Sequence, residues 1–210
     1  MKPSLIHPCY FGPIDFYAEI AQSEKFVFET KDNYQKQTYR SRQYIYGANG
    51  RLLLNIPVKH RINKTDKHQK YRDIKIENEF KWQKLHWKSL EAAYRTSPFF
   101  EYYEDEFLPL FEKKATFLMD FNLMCMQIVF ECLHLDFEYE ETEKFEFIHD
   151  EYEDRRSLVE AKRTPKFELE KYIQVFEPKF GFLKNLSILD LLFNEGPAAL
   201  NYLQNQKRIG

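Results

Sequence analysis

The stretch SLIHPCYFGPIDFYAEIAQSEKFVFET, Ser4 to Thr30, decides the fold class. SLIHP is a short apolar run cut by Pro8, which cannot donate to a sheet ladder and so ends a strand. IDFYAEIAQS places Ile14, Tyr17, Ala18 and Ala21 at helical spacing. KFVFET is again strand-like, rich in aromatic and β-branched residues. Two strands joined by a helix lie parallel, so the stretch predicts a β-α-β unit and an α/β fold.

The next stretch, NYQKQTYRSRQYIYGANGRLLLNIPV from Asn33 to Val58, contains Asn49-Gly50, a hairpin-turn signal. Side chains alternate faces along a strand. If residues 36–46 are extended, Lys36, Thr38, Arg40, Arg42, Tyr44 and Tyr46 share one face. Tyr39, Ser41, Gln43 and Ile45 then take the opposite face, and an even-numbered loop puts Leu52, Leu54, Ile56 and Val58 on that same, core-facing side. Adjacent cations about 7 Å apart repel unless an acid or a bound anion lies between them. The row is therefore either an anion-binding face, or a face that is solvated or paired with the acidic residues between Glu138 and Glu146. Arginine suits the first reading, because its planar fork grips carboxylate or phosphate with two hydrogen bonds.

Further along, KHRINKTDKHQKYR reads as a mobile loop and DIKIEN as a third β candidate. Asn78 is placed to cap a helix through EFKWQKLHWKSLEAAYRTS, which stops at Pro98. FFEYYEDEFLPLFEKKA is helical with a kink or break at Pro109. A long helix is expected from about Thr116 to Leu133. Residues 136–154 are strongly acidic. In the tail, Ser187 is a helix cap and Gly196-Pro197 ends that helix. The whole predicts one α/β domain over residues 1–210, a mixed sheet with a β-α-β unit and a hairpin, packed by helices.

Composition narrows the function classes. The chain has 210 residues, 43% hydrophobic and 30% charged, which is globular rather than disordered. Its net charge of −2 gives no support to nucleic acid or an anionic membrane as partner. Six glycines leave little material for phosphate-cradling loops, and the nucleotide, zinc-protease, Cys-x-x-Cys and serine-elbow motifs are all missing. No cofactor or metal is expected. The opening MKPSLIHPCYFGP has no long apolar run, and the most apolar segment carries Asp120, Asn122, Gln127 and Glu131, so neither signal peptide nor membrane span is expected. Cys125 and Cys132 lie roughly 10 Å apart on one helix, too far for a disulfide, and read as reduced core thiols of a cytoplasmic protein.

Other residues carry weaker signals. His86 sits one turn after Trp82, with Leu90, Ala93 and Tyr94 on about the same helical surface. It is either a general base in an aromatic pocket or a hydrogen-bonded core histidine. His7 and Cys9 share a face, which favours thiolate if the pair is reactive, although a small core cysteine is the simpler reading. Asn122 either anchors a loop or touches a ligand. His60 and His68 match no metal spacing. The lysine-rich loop offers a third reading, RNA binding.

Three stretches together resemble the WbqC-like family of bacterial proteins: HPCYFGPIDFY, the hairpin segment and LHWKSLEAAYRTSPFFEYYEDEFLPLFEKKATFLMDFN; the ending LSILDLLFNEGPAALNYL is similar to the close of one branch of that family. Pro8, Tyr10, Tyr34, Lys36, His86, Tyr94, Pro98 and Phe99 match the family pattern. Ser41-Arg42 stands where the family has Asn-Arg. His7 replaces a Gln or small polar residue, and Cys9 is not a family feature. The resemblance implies group transfer in surface-polysaccharide biosynthesis of the O-antigen type, with an aminoacyl group such as glycyl, or another acyl group, passed to a sugar. Lys36, Arg40 and Arg42 then hold an anionic donor, either a sugar phosphate or an acyl or aminoacyl donor. His86 is the base, and Tyr10, Tyr34 and Tyr94 line the pocket. The rival reading is a non-catalytic protein that binds an anionic ligand or docks within a biosynthetic assembly.

Overall fold

Strand β1, Ser4–Ile6, pairs in parallel with β2, Phe26–Phe28, with Ser4 opposite Phe26 and Ile6 opposite Phe28. Helix α1, Ile14–Ala21, makes the crossover. This is the expected β-α-β unit. The computed structural model describes residues 2–59 and 68–209. The expected mobile loop falls mainly on residues 60–67, and with it His60 lies outside the described residues.

Strands β3, Arg42–Gly47, and β4, Gly50–Asn55, form the hairpin, with Arg42 opposite Asn55. The positive φ of the turn falls on Gly50, at 98°, where glycine has no steric penalty. The face assignment holds for Gln43, Ile45, Leu54 and Ile56, which are buried, but Leu52 is exposed and Tyr46 on the other face is buried. The hairpin is a two-stranded sheet of its own.

Helices α2 (Trp82–Tyr94), α3 (Phe100–Glu112) and α4 (Leu118–Cys132) follow. Asn78 does not cap α2. It donates to the Ala115 carbonyl at 2.8 Å and accepts from the Trp82 indole N–H at 3.3 Å. Pro109 lies inside α3, which continues to Glu112. The third β candidate makes only single bridges, Ile76 to Val58 and Lys75 to Phe117.

The acidic segment completes the parallel sheet. Strand β5, Glu140–Glu141, pairs with β2, and β6, Glu153–Asp154, pairs with β1, giving the order β5-β2-β1-β6. Strand β7 (Phe167–Glu168), the short helix α5 (Glu177–Phe180), α6 (Ile188–Glu195), α7 (Ala199–Gln204) and β8 (Lys207–Arg208) finish the chain, β7 pairing antiparallel with β8. Ser187 caps α6 as expected, its hydroxyl accepting from the Leu189 N–H at 3.3 Å. Gly196 follows at φ 53°, and a Cβ there would meet the Phe99 ring at 2.5 Å.

The core lies among α1, α2, α3, α4, α6 and the inner face of the hairpin. Aromatic edges meet ring faces throughout, as in Phe11 on Phe107, Phe107 on Phe193 and Trp82 on Phe121. Such edge-to-face geometries add stability beyond the area buried. No helix among the described residues is long and apolar enough to cross a membrane.

Candidate functional site

In open parallel sheets, ligand groups gather beyond the carboxyl ends of the strands. Here His7 follows β1, and Asp32 lies four residues beyond β2. His7 Nε2–H donates to Asp32 Oδ2 at 3.0 Å, and Arg40 Nη2 donates to the same oxygen at 2.8 Å. Arg40 Nη1 reaches the Asn33 carbonyl at 3.0 Å, and its guanidinium sits 5.1 Å over the Tyr71 ring. Asn122 is the anchor of this loop, donating to the Arg40 carbonyl at 2.7 Å and to the Tyr71 hydroxyl.

The electrostatics follow from burial. Burial alone would raise the Asp32 pKa, but the His7 hydrogen bond and the Arg40 charge outweigh it and hold the carboxyl at about 2. Burial, aided by Arg40, pushes His7 down to about 4, so it is neutral at pH 7. Arg40 is only 1% exposed. It is a structural cation tied to an internal acid.

This corrects the expected row of cations. The strand begins at Arg42, not Lys36, because Gln37 turns the chain at φ 63°. Arg40 points into the protein, and only Lys36 and Arg42 reach the surface together. They line a pocket of about 430 Å³ with Tyr34, Ser41, Asn55, Ile56, Pro57, Val58, Glu77 and Phe80 among its walls. Tyr34 donates to the Ser41 hydroxyl at 2.8 Å and stacks against Tyr71, linking the pocket to the Asp32–Arg40 cluster. Burial raises the Tyr34 pKa, against the Ser41 bond and the Arg40 and Arg42 charges. The Arg42 side chain makes no ion pair or hydrogen bond among the described residues, and its Nε is buried without a partner.

The other expected site residues lie apart from this pocket. His86 is 6% exposed, its Nδ1 hydrogen-bonded to the Tyr10 hydroxyl at 2.8 Å and its ring edge-on to Trp82. Burial pushes its pKa down to about 4, with the neighbouring Asn55 backbone working in the other direction. Asn55 lines the pocket, whereas neither His86 nor Tyr10 does. Tyr94 belongs to a separate buried network. Its hydroxyl donates to Asp190 Oδ1 at 2.7 Å and accepts from the Tyr46 N–H at 3.1 Å. Tyr172 and Gln174 donate to the other Asp190 oxygen at 2.5 and 2.8 Å. Burial raises the Asp190 pKa, partly opposed by those donors. Cys9 is buried, and burial drives its thiol far above the usual range, so it is no nucleophile in this state. Among the described residues, no group of three or more His, Cys, Asp or Glu is placed to hold a metal ion.

Asp32, Glu77 and Phe80 are the residues that sequence reasoning missed. Asp32 carries no local pattern. Glu77 had a signal: alternation in DIKIEN puts Asp73, Lys75 and Glu77 on the polar side, opposite Ile74 and Ile76.

Comparison with known proteins agrees with the resemblance drawn from the sequence. The model of the WbqC-like protein family matches residues 7–164. The chain is 26% identical to the uncharacterised protein Rv1507c of Mycobacterium tuberculosis (strain H37Rv), over 97% of each chain. No solved structure matches.

Proposed function

Because the chain belongs to the WbqC-like protein family, we propose that it is a cytoplasmic group transferase of surface-polysaccharide biosynthesis that holds an anionic donor beside Arg42. The observation that carries this reading is the Arg42 guanidinium, unpaired among the described residues in a pocket it shares with Lys36 and Tyr34. A cation partly withdrawn from water with no protein partner is matched to a ligand's phosphate or carboxylate. The donor is a sugar phosphate or an acyl or aminoacyl compound, and the acceptor a sugar hydroxyl or amine. The reading takes residues 1–210 as one working domain, since Ser187 bonds Gln43 of the hairpin at 2.6 Å, beyond the family-matched segment.

In the transfer reading, the bond from acceptor to donor carbon forms as the leaving group departs, and a base takes the acceptor's proton. His86 is the base assigned from the sequence, but it is buried, bonded to Tyr10 and outside the pocket's lining, so to act it must give up Tyr10 and move. That cost favours a second reading, in which the pocket only binds its anion and His86 is a hydrogen-bonded core residue.

Titration of the full chain with inorganic phosphate and glucose 1-phosphate, followed by ³¹P NMR, tests the anion site. Arg42→Ala is expected to weaken binding roughly 10- to 100-fold, the worth of one charge-assisted pair. Unchanged affinity overturns the site. In cells, polysaccharide modification that survives both Arg42→Ala and His86→Ala overturns transfer.

A further inference from the structure

The pocket beside Arg42 carries both signs of charge. Arg42 and Lys36 bring two cations to it, and Glu77 brings a carboxylate. Glu77 Oε1 accepts from the Glu79 N–H at 3.0 Å, and Oε2 has no partner among the described residues. None of these three charged groups makes an ion pair among the described residues. Opposite charges within a single 430 Å³ pocket attract one another. Here they stand on separate segments, Arg42 on β3, Lys36 before it and Glu77 beyond the hairpin, and no ion pair joins them among the described residues. The same pocket is also lined by Ile56, Pro57, Val58 and Phe80. Phe80 is 66% exposed, a large aromatic left open at the pocket.

A phosphate or simple carboxylate would satisfy Arg42 and be repelled by Glu77. A ligand that satisfies both walls carries an anionic group and an ammonium on one short frame, with an apolar substituent against Phe80. We infer that the pocket binds an α-amino acid with an apolar side chain, free or as the acyl part of a donor. This rests on the reading of the pocket as the ligand site and narrows the ligand within it. Arg42 takes the carboxyl end, or the phosphate of an activated form, and Glu77 takes the ammonium. The open aromatic wall disfavours glycine, which would leave Phe80 uncovered.

The test is isothermal titration of the full chain with three probes: L-leucine, N-acetyl-L-leucine, which keeps the carboxylate and loses the ammonium, and L-leucinamide, which does the reverse. The unmodified chain is expected to bind leucine at least about tenfold more tightly than either analogue. In Glu77→Gln, leucine and N-acetyl-leucine are expected to converge. In Arg42→Gln, leucine and leucinamide are expected to converge. Both side chains are partly exposed, and far-UV circular dichroism checks that the variants fold. N-acetyl-leucine binding as tightly as leucine, with Arg42→Gln still weakening both, overturns the zwitterion while leaving the anion site standing. Affinities untouched by Arg42→Gln overturn the anion site itself. No leucine binding up to about 10 mM, well above the usual range for small metabolite sites, overturns the inference outright.

Discussion

Replacing Asp32 with alanine should destabilise the fold through Arg40 rather than through Asp32 itself. Arg40 is 1% exposed, and Asp32, 2.8 Å away, is its only carboxylate partner among the described residues. At an effective dielectric near 20, opposite unit charges about 4 Å apart attract by roughly 4 kcal/mol. Removing one member of a buried pair typically costs about 3–5 kcal/mol, because the survivor's charge stays buried. The loss also strips His7 Nε2–H of its acceptor. Arg40 keeps the Asn33 carbonyl and the Tyr71 ring, which moderates the cost without replacing the counter-charge. Asp32→Ala should therefore lose about 3–4 kcal/mol. With a urea m-value of roughly 2 kcal/mol/M, the midpoint falls by about 1.5–2 M. The double variant Asp32→Ala, Arg40→Leu removes both charges and should regain most of the loss, to within about 1–2 kcal/mol of the parent. A single-variant cost under about 1 kcal/mol refutes the reasoning. So does a double variant that loses as much as the two single variants added together.

Two further outcomes follow. His7 and His86 are neutral in the fold, with pKa values lowered from 6.5 to about 4 by burial, so the unfolded chain binds their protons first as pH falls. Their contribution to stability should be flat above pH 6.5 and drop between pH 6.5 and 4, by about 3 kcal/mol per histidine, while the raised Asp190 carboxyl works in the opposite sense; the difference in urea midpoint between the parent and His86→Gln, followed from pH 7.5 to 4.5, isolates one histidine, and a difference that does not change with pH contradicts the His86 burial. Gly196→Ala must adopt φ 53° and push its Cβ into the Phe99 ring, so a melting temperature lowered by at least about 4 °C is expected from differential scanning calorimetry, and an unchanged value would show that the ring yields freely.

The β-α-β unit, the hairpin, α4 and the Ser187 cap were legible because each depends on residues close in sequence. The site was only partly so. Parity placed Gln43, Ile45 and Leu54 inward, yet it could not see that Gln37 breaks the strand and sends Arg40 into the interior. Nothing local marks Asp32 as its partner, since the pairing depends on how the chain leaves β2. The acidic segment hid two edge strands for a related reason. Two residues have no periodicity, and Glu140–Glu141 and Glu153–Asp154 are strands only because β2 and β1 supply the ladder. His86 was recognisable as an aromatic-helix histidine, but whether it joins the Arg42 pocket depends on tertiary packing.

The sheet also imposes an order of events on a chain emerging from the ribosome. Strands β1 and β2 are made early, but their outer neighbours arrive more than a hundred residues later. The Ile14 N–H waits for the Leu186 carbonyl, and the Tyr44 carbonyl waits for the Ser187 N–H. Until then the nascent β-α-β unit has two open edges and an uncovered helix, a state prone to pairing with other chains. Folding of this protein is thus a late, closing event, in which the α6 segment locks elements that were synthesised first.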